Sequence, residues 1–154
     1  RLHMHLVECR LQSVKLSTVS VSKGIQRLKS QGLQILVEGS GHLLYASDRA
    51  GLGPICDVTF KHPDLLDGSD VYLHGVDLAT AYILIFGKVG RVFAKAMTNE
   101  AKRAFKELGI EIEAEAFVRK LPDALGAANA KWEAASHEAV TPLAFVEAVK
   151  RKGI

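Results

Sequence analysis

The spacing of apolar positions changes period several times between residues 69 and 117, and each change marks an element. SDVYLHG (69–75) reads as a strand, VDLATAYILIFG (76–87) as a helix apolar almost all round, and RVFAKAM (91–97) as a second strand. TNEAKRAFKELG (98–109) places Ala101, Ala104, Phe105 and Leu108 on one helical stripe, with Lys102, Arg103, Lys106 and Glu107 outside it. Thr98 or Asn99 caps that helix and Gly109 stops it. Over 110–117, Ile110, Ile112, Ala114 and Ala116 alternate with Glu111, Glu113 and Glu115. Glutamates along one face predict a half-exposed strand at a sheet edge, where charge opposes edge-to-edge pairing. Strands separated by helices of this length predict an α/β sheet with helices crossing over between parallel strands.

The flanks extend this plan. Residues 1–16 fit neither period and read as an N-terminal tail; Met4 is a candidate natural start, with the residues before it left by a vector or an upstream frame. Residues 17–154 read as one domain. Val21, Ile25 and Leu28 predict a helix over 17–31, although Gly24 and the β-branched residues weaken it. Two apolar runs flanking Gly39-Ser40-Gly41 predict a hairpin, 33–38 paired with 42–47. Pro54 opens a helix that His62-Pro63 closes, with Ile55, Val58, Thr59 and Phe60 inward, and residues 64–70 lead into the next strand. Residues 119–140 are alanine-rich and loosely amphipathic through Leu125, Ala128, Trp132 and Ala135. The last helix is sharper: Thr141 caps it, Pro142 takes its first position, Phe145, Val146 and Val149 form its apolar face, and Lys150–Lys152 fill its last turn. Right-handed crossovers then place helices on both faces of a mixed five-stranded sheet, a three-layer α/β/α arrangement.

Composition narrows the function classes. A net charge of +3, mixed in sign along the chain and without a basic patch carrying aromatics, argues against nucleic-acid binding. The most apolar run, AYILIFG, is too short to span a bilayer, so no membrane role is expected. Cys9 and Cys56 stand far apart and in no CxxC pair, which fits reduced thiols and a cytoplasmic location. The apolar content permits a homodimer without showing which face it would bury.

The pieces LKSQGLQILVEGSGHLLY, GLGPICDV, VDLATAYILIFGKV and VFAKAMTNEAKRAFKELGIEIEAE together resemble an uncharacterised prokaryotic domain-of-unknown-function family with a cytidine-deaminase-like fold. The resemblance spans about residues 17–149 and rests on small and apolar residues at matching spacing, not on a catalytic signature. Zinc deaminases carry H-x-E and P-C-x-x-C at two helix starts. Here those places read Gly51-Leu52-Gly53-Pro54-Ile55-Cys56 and His74-Gly75-Val76-Asp77-Leu78-Ala79-Thr80. With the acid/base glutamate and the paired thiolates missing, neither zinc-dependent deamination, nor a metal, nor any other cofactor is expected. Members of the family look as if they carry an acidic and a basic residue where this chain has Leu73 and His74, a glycine at Asp77, and a Cys-Pro pair near Val140-Thr141-Pro142. If those positions form the family's site, this chain has altered it or lost it.

In open α/β sheets, ligands bind beyond the carboxyl ends of the strands, near helix N-termini. Two helix starts qualify, Gly51–Pro54 and His74–Asp77, and the expected pocket is built from residues 51–56 and 74–80. His74 and Asp77 are the candidate catalytic pair, facing one pocket with His74 as acid/base or donor and Asp77 as hydrogen-bond acceptor; the plainer reading of Asp77 is a helix cap. Gly51, Gly53, Pro54, Cys56, Thr80, His137 and Glu138 complete the candidate ligand-binding set. Gly51 and Gly53 also read as plain turn residues, Cys56 as a buried, inert thiol, and His137-Glu138 as a solvated pair. The expected function is binding of a small nucleotide-like or other polar metabolite, by analogy of fold. A metal-free enzyme on such a ligand, or a structural or interaction protein with a degenerate site, are the alternatives.

Overall fold

A computed structural model describes residues 23–122 and 130–152. The expected tail, residues 1–16, the first part of the helix predicted from 17, and Leu125 and Ala128 lie outside the described residues. Helix α1 covers residues 23–31. The hairpin follows, β1 (Ile35–Gly39) and β2 (His42–Ser47), then α2 (Gly53–Lys61), a short α3 (Pro63–Leu66), β3 (Asp70–Val76), α4 (Leu78–Phe86), β4 (Arg91–Thr98), α5 (Asn99–Glu107), β5 (Glu111–Val118), α6 (Ala130–Ala139) and α7 (Pro142–Arg151).

The strands form one sheet in the order β2-β1-β3-β4-β5. β1 is antiparallel to both neighbours, whereas β3, β4 and β5 are parallel. The hairpin turns on Ser40 and Gly41, both at positive φ (53° and 79°), the geometry a two-residue type I′ loop requires. At the amino-terminal edge of the parallel strands, Arg91 grips Asp70 with two hydrogen bonds of 2.9 and 2.7 Å and holds the β3–β4 register. β5 is the far edge strand, and its three glutamates are exposed as the alternation predicts.

Helices lie on both faces of the sheet. On one face α1 packs Ile25 and Leu28 on Leu36, Tyr72 and Phe93, with the two rings stacked at 4.9 Å. Gly24 has a packing reason that helix propensity alone does not see: a Cβ there would overlap the Tyr72 ring. The main core lies on the other face, where residues of α2, α4, α5, α6 and α7 join the inward residues of the sheet. Helix α4 is buried nearly throughout, as its all-round apolar sequence predicts. In α7, Thr141 caps the first turn through the Ala144 N–H, and Phe145, Val146 and Val149 are buried. The segment after His62 differs from its expected role as a simple lead-in. Pro63 begins a single helical turn that buries Leu66, too short to leave a periodic signal. Among the described residues no helix is long and apolar enough to cross a membrane.

Candidate functional site

Three strand-to-helix junctions, after β2, β3 and β4, open at the carboxyl edge of the parallel strands, and β5 ends there too. Two clefts of very different size lie along this edge. The smaller is bounded by Gln34, Ile35, Arg49, Ala50, Gly51, Ile55, Leu73, Gly75 and Thr80 and holds about 30 Å³, room for about one water molecule. The expected pocket is here: residues of both nominated helix starts do meet, but around almost no space. Leu52, Ile55 and Leu73 are each 3% exposed or less. Arg49 stands at the rim, paired with Asp57 at 2.8 Å. Among the described residues, none that bounds it is a histidine, cysteine or carboxylate. Pro54 and Cys56 are buried in the first turn of α2, and burial pushes the Cys56 thiol up to about 12, the opposite of an activated nucleophile.

The larger cleft, of about 660 Å³, lies on the other side of the first turn of α4. Asp77, Thr98, Glu100, Arg119, Lys120, Leu121, Ala130, Glu133, Ala134 and His137 line it. Asp77, 4% exposed, is the N-cap of α4 and accepts from the Thr80 N–H at 3.0 Å. Thr98 does the same for α5 through Ala101. Glu133 reaches across from α6 and accepts from the Ala79 N–H at 3.0 Å, so two carboxylates share the N-terminus of α4. Burial raises the Glu133 pKa, and the nearby Asp77 charge raises it further. His137, one turn along α6, has Nδ1 2.8 Å from the Glu133 main-chain oxygen and Nε2 2.7 Å from Glu100. Its hydrogen bond to Glu100 holds the imidazolium and raises its pKa.

The nominated residues are thus divided. Gly51 and Thr80 line the small cleft, and Asp77 and His137 the large one. His74 belongs to neither. Along β3 it shares the α1 face with Tyr72; its ring hydrogen-bonds the Leu33 backbone, and Lys95 and Lys29 are its charged neighbours. Burial and those lysines lower its pKa. The expectation that His74 and Asp77 face one pocket is therefore corrected: three residues apart around the end of a strand, they diverge to different sides of the sheet. Glu138 is exposed on α6, outside the large cleft. Gly53 begins α2, where an added Cβ would meet only the tip of Arg49, so close ligand approach does not require a glycine there.

Thr98, Glu100, Arg119, Lys120 and Glu133 were not nominated. The rule that selected the first two junctions applies equally to the third, at Thr98–Glu100, and to the end of β5 at Arg119–Lys120. Glu133 left no such trace, because α6 carries little amphipathic pattern.

A family model described as a domain of unknown function, DUF1893, matches residues 23–149. The chain belongs to the DUF1893 family. Its fold is similar to that of a DUF1893 family protein from Thermotoga maritima, with a TM-score of 0.74 at 23% identity, over 86% of this chain and 88% of that one. A more distant likeness is to a dCMP deaminase from the cyanophage S-TIM5, with a TM-score of 0.48 and 12% identity over 62% of this chain and 94% of that one. No match was found among curated proteins.

Proposed function

We propose that this DUF1893 protein binds a small, anionic, nucleotide-sized metabolite in the 660 Å³ cleft. The observation that carries this reading is the cleft itself: an open space at the carboxyl edge of β3, β4 and β5, within the size range of metabolite sites, on which charged groups of both signs converge. Arg119 and Lys120 supply cationic contacts for a phosphate or carboxylate. Asp77, Glu100 and Glu133 offer acceptors for the hydroxyl or amino groups of the same ligand.

The test is a calorimetric and thermal-shift panel of nucleoside phosphates, free nucleosides and sugar phosphates against chelator-treated protein. A phosphorylated compound at 100 times its dissociation constant should add about 2.7 kcal/mol of stability. Arg119→Ala/Lys120→Ala should remove most of that gain, and the matching nucleoside without phosphate should give little. Silence across the panel from a cooperatively melting protein would overturn the reading and favour an interaction protein.

A further inference from the structure

Glu100, Glu133 and His137 each offer one ligand atom, and the three atoms all lie within 4.8 Å of one another. They come from two helices, α5 and α6, whose side chains meet at the large cleft through His137 and Glu100. From this geometry we infer a binding site for one divalent transition-metal ion, of the Zn²⁺ or Mn²⁺ class, held by the two carboxylates and His137 Nε2.

More than proximity supports the site. His137 Nδ1 faces a main-chain carbonyl at 2.8 Å. A carbonyl only accepts, so Nδ1 keeps its proton, and the lone pair open to a cation is that of Nε2 once the metal displaces the proton Nε2 shares with Glu100. A hydrogen bond of this kind is how metal-binding histidines are usually oriented. Glu133 is held in the same way, by the Ala79 N–H at 3.0 Å. These two ligands are thus aimed from behind by hydrogen bonds, unlike two ends of a loose surface ion pair.

Charge points the same way. Glu100 and Glu133 both act on the single imidazole of His137. A +2 ion balances the two ligating carboxylates once Nε2 coordinates it in place of its 2.7 Å hydrogen bond to Glu100. The imidazole suits zinc or iron, and the two carboxylates also suit manganese, whereas magnesium and calcium take oxygen ligands alone. Three protein ligands leave coordination positions open, and in this place they face the cleft that Arg119 and Lys120 also line. The site adjoins the proposed metabolite pocket but does not rest on it, because the metal is tested alone.

The experiment is calorimetric titration of chelator-treated protein with ZnCl2, MnCl2 and MgCl2 separately, together with the visible absorbance of the Co²⁺-loaded protein. One equivalent of Zn²⁺ should bind, with Mg²⁺ at least 10-fold weaker. His137→Ala and Glu100→Gln should each weaken Zn²⁺ at least 10-fold and change the cobalt bands, whereas Glu138→Gln, on the same helix outside the cluster, should do neither. Glu100 is partly exposed, so Glu100→Gln reports on ligation even if another variant folds poorly. No stoichiometric Zn²⁺, or Zn²⁺ binding that survives both variants unchanged, would overturn the inference.

Discussion

The two clefts beside the first turn of α4 are built from equivalent parts and differ in almost everything else. Both use a strand end, a helix N-terminus and the turn between them. The one bounded by α2 and α4 holds about 30 Å³ and is closed by Ile55 and Leu73. The one bounded by α4, α5 and α6 holds about 660 Å³ and is lined by acids, bases and a histidine. The backbone rule that sends ligands to the carboxyl edge of parallel strands therefore selects an edge and not a position along it. Side chains then decide which position is filled with core and which stays open. A substitution in the small cleft should therefore act on stability, and one in the large cleft on binding.

The strongest way to break this contrast is Ile55→Ala. Ile55 is 3% exposed and belongs to the main core, so removing its branched end should cost about 2–5 kcal/mol by chemical denaturation. Binding of phosphorylated ligands in the large cleft should be unchanged at temperatures where the variant is folded. An Ile55→Ala protein of normal stability, or one that loses ligand binding while folded, would mean that the small cleft is no mere extension of the core.

Asp77 sits on the boundary between the two clefts, and its variants sharpen the comparison at a smaller scale. Asp77→Ala removes the acceptor for the Thr80 N–H and should cost about 1 kcal/mol. Asp77→Asn keeps a side-chain oxygen for the cap and removes a negative charge beside the half-buried Glu133, so its stability should stay close to that of the native protein. Equal losses in both variants would show that charge and not capping is what Asp77 contributes to the fold.

Most of the fold was legible because its signals are local. Ser40-Gly41 between apolar runs, the all-round apolar α4 and Thr141-Pro142 ahead of Phe145 each state an element within a few residues, and each element is present. The single turn at Pro63–Leu66 was not legible, since four residues hold no period. The site was legible only where one junction could be read alone. Asp77 announced itself as the first polar residue before an apolar helix. Glu100, Arg119 and Glu133 come together from three places in the chain, and nothing in the spacing of any one of them records the others. His74 was misplaced for a related reason. The strand's alternation puts it on the face of Tyr72, and that face belongs to α1.

That placement leads to the smallest predicted effect, a difference in acid response between two histidines. Burial, with Lys95 and Lys29, holds the folded pKa of His74 below the ordinary value of 6.5. At pH above 6.5 the ring is neutral in both folded and unfolded chains and stability is unaffected. As the pH falls below 6.5 the unfolded chain takes up a proton that the folded chain resists, so stability is lost through the folded pKa. His137 has the opposite sign: Glu100 raises its folded pKa, so its contribution is full at low pH and is lost as the pH rises through that value. The native profile between pH 7 and 5 mixes the two, and the informative quantity is the difference between variants. His74→Asn should flatten the acid loss, measured as urea midpoints on chelator-treated protein, while His137→Asn should steepen it. If His74→Asn instead steepened the loss, His74 would have to lie beside a carboxylate, and its assignment to the lysine-bearing α1 face would be wrong.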